Sequence, residues 1–260
     1  MTQPMSDNEK NIPKWTEIEL LPEWDEPFYD VYTAKKFGKW LMLKTLKPQY
    51  RDDDTYLSMI EKEFDVRYNL AHPNIVMIND FEEVPGIGLC IITDDVYGDS
   101  LRKLLDSGKV DESTLRKVCT SLVDALEYIQ ANHIVHHSIR PETIIFTENI
   151  GNLKLIDVGF DQLDHLSHDD TSRDIHDFGL VLKEVLDKLP ERHSHLHRVA
   201  ARCLNPDPRK RYHDIRDLKM ALSNRSNHRL YIIIITFLII MIALLGWLVA
   251  NPGSTVAVGQ

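Results

Sequence analysis

A carboxylate within an apolar helical face is the first sign of chemistry in this 260-residue chain. Tyr56, Met59, Ile60 and Leu70 recur at helical spacing over about 55–70, and Glu63 falls inside that face. A buried carboxylate is costly unless a cation meets it. The nearest candidate is Lys44 in WLMLKTLK, where alternation would turn one side of a strand toward this helix. The other reading leaves Glu63 at the edge of the stripe, reaching water. A second candidate is HSHLH, in which His193 and His197 could share a helix face at metal-ligand spacing. No acidic third ligand sits at a fixed offset, so a solvated surface is expected for His193, His195 and His197. Asp52, Asp53 and Asp54 read as a solvated loop before the helix. Cys90, Cys119 and Cys203 lie far apart with no CxxC. That excludes a disulfide scaffold and a Cys-based zinc site, and it fits a reducing compartment.

The elements that must position these residues follow from pattern. Hydrophobic residues are 43% and charged residues 27% of the chain, as in ordinary globular material. The net charge of −10 argues against nucleic-acid partners, which need a basic face. From about Leu21, apolar runs alternate with polar breaks: FYDVYTAKK, KWLMLKTLK, IVMINDFEE and IGLCIITDD. These predict an antiparallel sheet interrupted by the one helix at 55–70. From residue 97 the period becomes helical, through Leu115, Val118, Cys119, Leu122, Leu126 and Ile129, with Asp111 or Ser113 as cap. A second helix is predicted from Asp174 and a third over Tyr212 to Leu222. Strands first and helices later predict an α+β arrangement of two lobes, about 21–96 and 97–222. Residues 1–20 read as polar and loose. The acidic Glu17, Glu19, Glu23, Asp25 and Glu26 read as a docking surface or as solubilising charge.

Leu230 to Ala250 carries 21 residues without a charge. As a helix it would span roughly 31 Å, the thickness of a bilayer core. The start, MTQPMSDNEK, has no apolar signal-peptide core. Arg225 and Arg229 precede the run and nothing basic follows it. The positive-inside rule then predicts a single-pass membrane protein. Residues 1–229 would be cytoplasmic, 223–229 a basic juxtamembrane linker, 230–250 the transmembrane helix and 251–260 an outside tail. Gly246 and Ala250 form a small-xxx-small pair, so a homodimer through the membrane helix is the second reading beside a plain anchor.

In chain order, several phrases over residues 21–222 resemble the eukaryotic-like protein kinase superfamily. LMLK (41–44) stands at the V-A-I-K strand, and Glu63 at the ion-pair partner of its lysine. HPNIV (72–76) follows that helix. TDDVYGDSL (93–101) resembles the gatekeeper and hinge, with Thr93 as gatekeeper. HIVHHSIRPETIIF (133–146) resembles the catalytic loop, LIDVGF (155–160) the D-F-G segment, DIHDFG (174–179) the central helix, and CLNPDPRKRY (203–212) a segment near the end. The resemblance implies a two-lobed kinase-like fold with an antiparallel N-lobe and a mainly helical C-lobe. It implies nucleotide-site positions at Lys44, Glu63, Thr93, Asp94, Val96 and Asp157, with Asp157 as metal ligand. It implies structural roles for Lys44, Glu63, His136, Asp174 and Arg211.

The departures bear on catalysis. The H-R-D positions read His136, His137 and Ser138, so the carboxylate that would orient a hydroxyl nucleophile is a serine. The lysine two residues on is Arg140, and the metal-binding asparagine is Thr143. Trp24, Glu26 and Tyr29 stand at the three glycines that let a backbone approach phosphates. Met42 replaces the small residue lining the adenine slot. Only 16 residues separate Asp157 from Asp174 and no A-P-E is present, so the activation segment is shortened. Arg211 then lacks its usual glutamate unless another carboxylate serves. The expectation is a membrane-anchored pseudokinase, binding a protein partner on the cytoplasmic side, with weak or no ATP and Mg binding and no nucleic acid. The alternative is a divergent membrane-bound Ser/Thr kinase using ATP through Lys44 and Asp157.

Overall fold

Five short strands with alternating apolar residues form an antiparallel sheet. They are β1 (Trp15–Leu20), β2 (Tyr29–Lys36), β3 (Lys39–Leu46), β4 (Ile78–Val84) and β5 (Gly88–Asp94), ordered β1-β2-β3-β5-β4. Helix α1 (Asp54–Tyr68) lies between β3 and β4 in the chain. This computed structural model describes residues 13–24, 27–136, 139–148, 151–156, 161–162, 166–190, 193–223 and 228–250, with backbone only at 23, 161–162, 228–231 and 248–250. The two-residue period of β3 divides its side chains between two small cores. Leu41 and Leu43 pack with Ala34, Val84, Ile87, Cys90 and Ile92. Leu46 joins Tyr29, Ile60, Ile78 and Ile91, against which α1 packs Tyr56, Leu57 and Met59. Lys44 shares the parity of Leu46 and so points to the helix side.

Two expectations for this lobe need correction. The segment read as loose contains β1, which pairs with β2 from Trp15 opposite Lys36 to Leu20 opposite Tyr32. Its four residues after Thr16 are exposed, as on a sheet edge, so the short alternation Glu17-Ile18-Glu19-Leu20 marks no buried face. Trp15 packs on the core formed by Leu41 and Leu43 and anchors the strand. The aspartate run is not a plain loop: Asp53 caps α1 by accepting from the Thr55 N–H at 2.8 Å, and Asp54 is the first helical residue.

The second lobe contains β6 (Gly98–Ser100), α2 (Leu101–Asp106), α3 (Glu112–Lys117), α4 (Val123–Ala131), β7 (Ile134–Val135), β8 (Ile144–Thr147), β9 (Leu153–Leu155), β10 (Asp161–Gln162), α5 (His168–Leu186), α6 (Ser194–Cys203) and α7 (Ile215–Leu222). A π-helical turn over Val118–Leu122 joins α3 to α4, making one helical run capped by Asp111. Ile175, Phe178, Val181, Leu182 and Val185 of α5 are fully buried in the large C-lobe core. Helix α5 starts six residues earlier than predicted. Ser167 and Asp170 form a capping box, a signal with polar residues around it and no apolar stripe to flag it. The three cysteines are free, and burial pushes each thiol up to about 12, so they remain protonated near neutral pH.

The chain divides into two units, residues 1–222 and 223–260. In the second, α8 (His228–Ala250) has a backbone of 23 helical residues. Its described side chains, 232–247, are exposed and apolar apart from Thr236 and Gly246. Those sixteen residues would cover about 24 Å, short of a roughly 30 Å hydrocarbon core. Among the described residues, no helix is long and apolar enough to cross a membrane, so the expected span over 230–250 is not established by them.

Gly179 marks where the C-lobe packing is tightest in α5. A Cβ there would lie 2.5 Å from Cys203 Cβ and 3.3 Å from Leu204. Gly179→Ala is expected to destabilise by about 1–3 kcal/mol through overpacking, despite the better helix propensity of alanine. Urea unfolding should show a lower midpoint with an unchanged slope. An unchanged or raised midpoint would mean that α5 and α6 can separate freely.

Candidate functional site

The site is assembled around Glu63, which is fully buried at 0% exposure. Its Oε1 accepts from Lys44 Nζ at 3.2 Å, so the pair expected from the sequence forms. The sequence reading missed the second cation. Arg67, one helical turn on and 4% exposed, makes a short Nη1 contact to the same oxygen. Its Nη2 also donates to the Ile156 carbonyl at 3.1 Å. The i,i+4 spacing of Glu63 and Arg67 was visible, but such pairs are common on solvated faces and only burial distinguishes this one.

Lys44 is held by an aromatic ring as well. Its ammonium sits 4.2 Å from the centre of the Tyr29 ring, a cation–π contact. Tyr29 occupies one of the positions where the sequence lost a glycine, and it is buried in the N-lobe core. Trp24, Met42, Val31, Val76, Ile91, Thr93, Val96 and Ile156 line the cavity beside Lys44 and Arg67. That cavity has a volume of about 60 Å³. Small-molecule sites run to roughly 300–1,000 Å³.

The remaining candidate positions sort by what each touches. Thr93 and Val96 reach the cavity, as expected. The Asp94 carboxylate instead takes Lys39 at 2.8 Å and Asn79 at 2.9 Å. Burial opposes its charge, yet these two donors hold it below the usual carboxylate range. Thr143 is buried and its hydroxyl donates to the Arg140 carbonyl at 3.0 Å, which closes a local turn. Arg140 is exposed. Ser138, Asp157, His137 and Glu26 lie outside the described residues.

The expected structural positions have protein partners. The backbone N–H of His136 donates to Asp174 Oδ2 at 3.0 Å. Arg211 is satisfied by neutral acceptors, namely the Asn205 carbonyl at 2.9 Å and the Ser172 carbonyl at 3.0 Å and hydroxyl at 3.2 Å. No carboxylate pairs with it among the described residues. The histidine run is not simply solvated. His193 Nε2 lies 2.9 Å from Glu112 Oε1, and His195 Nε2 lies 2.7 Å from the Ala221 carbonyl.

This arrangement ranks three substitutions. Glu63→Gln leaves the buried Arg67 facing a neutral amide, a loss of about 3–5 kcal/mol. Lys44→Met should lose less, about 1–2 kcal/mol, because Arg67 still neutralises Glu63. Arg67→Met should fall nearer the glutamine variant. Thermal and urea unfolding of residues 1–229 would read the order. A lysine variant weaker than the glutamine variant would show that Lys44, and not Arg67, is the main counter-ion.

Comparison with known proteins agrees with this frame. The family model described as "Protein kinase domain" matches residues 28–172, more than half of the chain. Serine/threonine-protein kinase 36 of Pongo abelii is 29% identical over 149 residues, covering 56% of this chain and 11% of that protein. Serine/threonine-protein kinase fused of Drosophila melanogaster is 30% identical over 128 residues, covering 49% and 15%. The chain thus spans a small part of the length of these curated relatives. The PknI kinase domain of Mycobacterium tuberculosis superposes with a TM-score of 0.63 at 20% identity, over 81% of this chain and 96% of that one, and shares the fold. With the matched stretch running from β2 into α5, the chain belongs to the protein kinase domain family.

Proposed function

We propose that this protein is a membrane-anchored kinase-like module that binds a partner protein and transfers little or no phosphate. The observation that carries this reading is the small cavity beside Lys44. Its volume of about 60 Å³ is small beside the roughly 300–1,000 Å³ of small-molecule sites, Met42 and Trp24 line it, and the Tyr29 ring lies against the Lys44 ammonium. Two chemical losses support it. Ser138 supplies no general base near neutral pH, and the Thr143 hydroxyl is turned onto Arg140. The retained Lys44–Glu63 pair then serves stability. ATP and Mg bind weakly or not at all.

The second reading, a divergent Ser/Thr kinase, is favoured by that same pair at 3.2 Å, by Asp157 in the sequence and by the names of the relatives. Anchoring through 230–250 is supported by the uncharged run and by the exposed apolar side chains of α8. The basic residues before the run favour residues 1–229 on the cytoplasmic side.

The test is thermal melting and radiolabelled phosphotransfer with residues 1–229, with and without millimolar Mg-ATP. No transfer above background and a melting shift under about 1 °C are expected. That shift corresponds to ligand well below its dissociation constant. A clear ATP-dependent rise together with transfer that Lys44→Ala and Asp157→Ala abolish would establish the kinase instead. Reporter fusions at residues 1 and 260 would test the topology. A reporter at residue 1 found outside would overturn the anchoring orientation.

A further inference from the structure

Charge is distributed very unevenly along the chain. Residues 188–229 carry eleven Lys or Arg and four Asp or Glu, a net +7. Everything before residue 188 carries −17, and nothing after 229 is charged. The basic stretch contains α6, the 3-10 turn Pro208–Lys210, α7 and the linker that leads directly into the apolar run.

Part of that charge forms one exposed patch. Arg198 and Arg202 stand four residues apart on α6, on the face opposite the buried Val199, Ala200 and Cys203. Arg202 lies over the Tyr212 ring at 4.2 Å and its Nε reaches the Lys210 carbonyl at 3.4 Å. That contact places Arg202 beside Arg209 and Lys210, both exposed. Among the described residues, the carboxylate that pairs with this patch is Asp207, 4.0 Å from Lys210 at the limit of an ion pair. Other cations of the stretch are already engaged: Lys219 pairs with Asp124 and Glu127, and Arg216 with Glu127.

We propose that Arg198, Arg202, Arg209 and Lys210 form a docking surface for anionic lipid headgroups, which fixes the C-lobe against the bilayer that holds the anchor. The proposal rests on reading 230–250 as a membrane anchor. Two observations select a lipid surface over a soluble partner. The basic stretch runs without interruption into the apolar segment. The chain between Leu222 and Leu230, even fully extended, reaches no more than about 29 Å, so the lobe that carries these cations is held on a short tether to any membrane that holds the helix. A cytoplasmic leaflet is negatively charged, and each nearby Lys or Arg gains about a factor of five in association with it. The strongly acidic remainder of the chain is repelled by the same surface, so the charge asymmetry sets one orientation.

The test uses the full chain in bilayers of phosphatidylcholine alone or with about a third phosphatidylglycerol, a content in the range of anionic membranes. Acylation of Lys210 is followed by mass spectrometry, with the exposed Lys39 of β3 as internal reference. Lys210 labelling should slow by about tenfold in the anionic bilayer relative to the zwitterionic one, while Lys39 stays unchanged. The variant R198E/R202E/R209E should abolish the difference, and so should about 0.5 M salt. Equal Lys210 labelling in both bilayers, with the chain resisting alkaline extraction, would overturn the docking surface and leave the anchor standing. Alkaline release from both bilayers would remove the anchor and the docking surface with it. Slowing produced only by an added acidic protein or oligonucleotide would assign the patch to that partner and overturn the lipid reading.

Discussion

The buried carboxylate of Glu63 constrains the N-lobe more than any other group. An ionised carboxylate at zero exposure needs cations close by, and the fold brings them from two directions. Lys44 arrives because the strand period places it on the helix side of the sheet. Arg67 arrives because it is one turn along α1. Arg67 then spends its second nitrogen on the Ile156 carbonyl, 89 residues away in sequence. The pair that a kinase would use to hold a nucleotide is here part of a fastening between α1 and the chain just after β9.

Other bonds close the same seam. The Val76 N–H donates to the Leu155 carbonyl at 2.9 Å, and the Leu155 N–H donates to the Asn74 carbonyl at 2.8 Å. The Asn74 amide reaches the Leu153 carbonyl at 2.8 Å. Leu70 and Ile75 sink into the C-lobe core. The lobes are therefore joined by hydrogen bonds along this seam and by apolar contact.

Much of this was legible in the sequence, and the failures have identifiable causes. The sheet, α1 and the helical C-lobe follow from a change in hydrophobic period, which is the most robust local signal. Lys44 and Glu63 were legible because a charge on an apolar stripe demands a partner. Strand β1 was not, because its alternation runs over only four residues, Glu17 to Leu20, and its one anchor, Trp15, is half-buried. The early start of α5 was not, because its first turn is polar and held by a side-chain cap. Arg67 was not, because an i,i+4 ion pair looks the same in sequence whether it is buried or exposed.

Several kept and changed positions among the described residues sort by what each touches. Asp174, Arg211 and Asn74 match the family pattern, and each is satisfied by protein: the His136 N–H, the Ser172 and Asn205 acceptors, and the Leu153 carbonyl. Removing any of them would leave a buried polar group without its partner, which costs stability whatever the chemistry of the site. Met42, Trp24, Tyr29 and Thr143 depart from the pattern, and at these positions the family residue would face a nucleotide or a metal. A group whose partner is a ligand has no stability cost once the ligand is given up. It can then be replaced by whatever packs best, which for a slot beside Lys44 is an aromatic ring and a methionine.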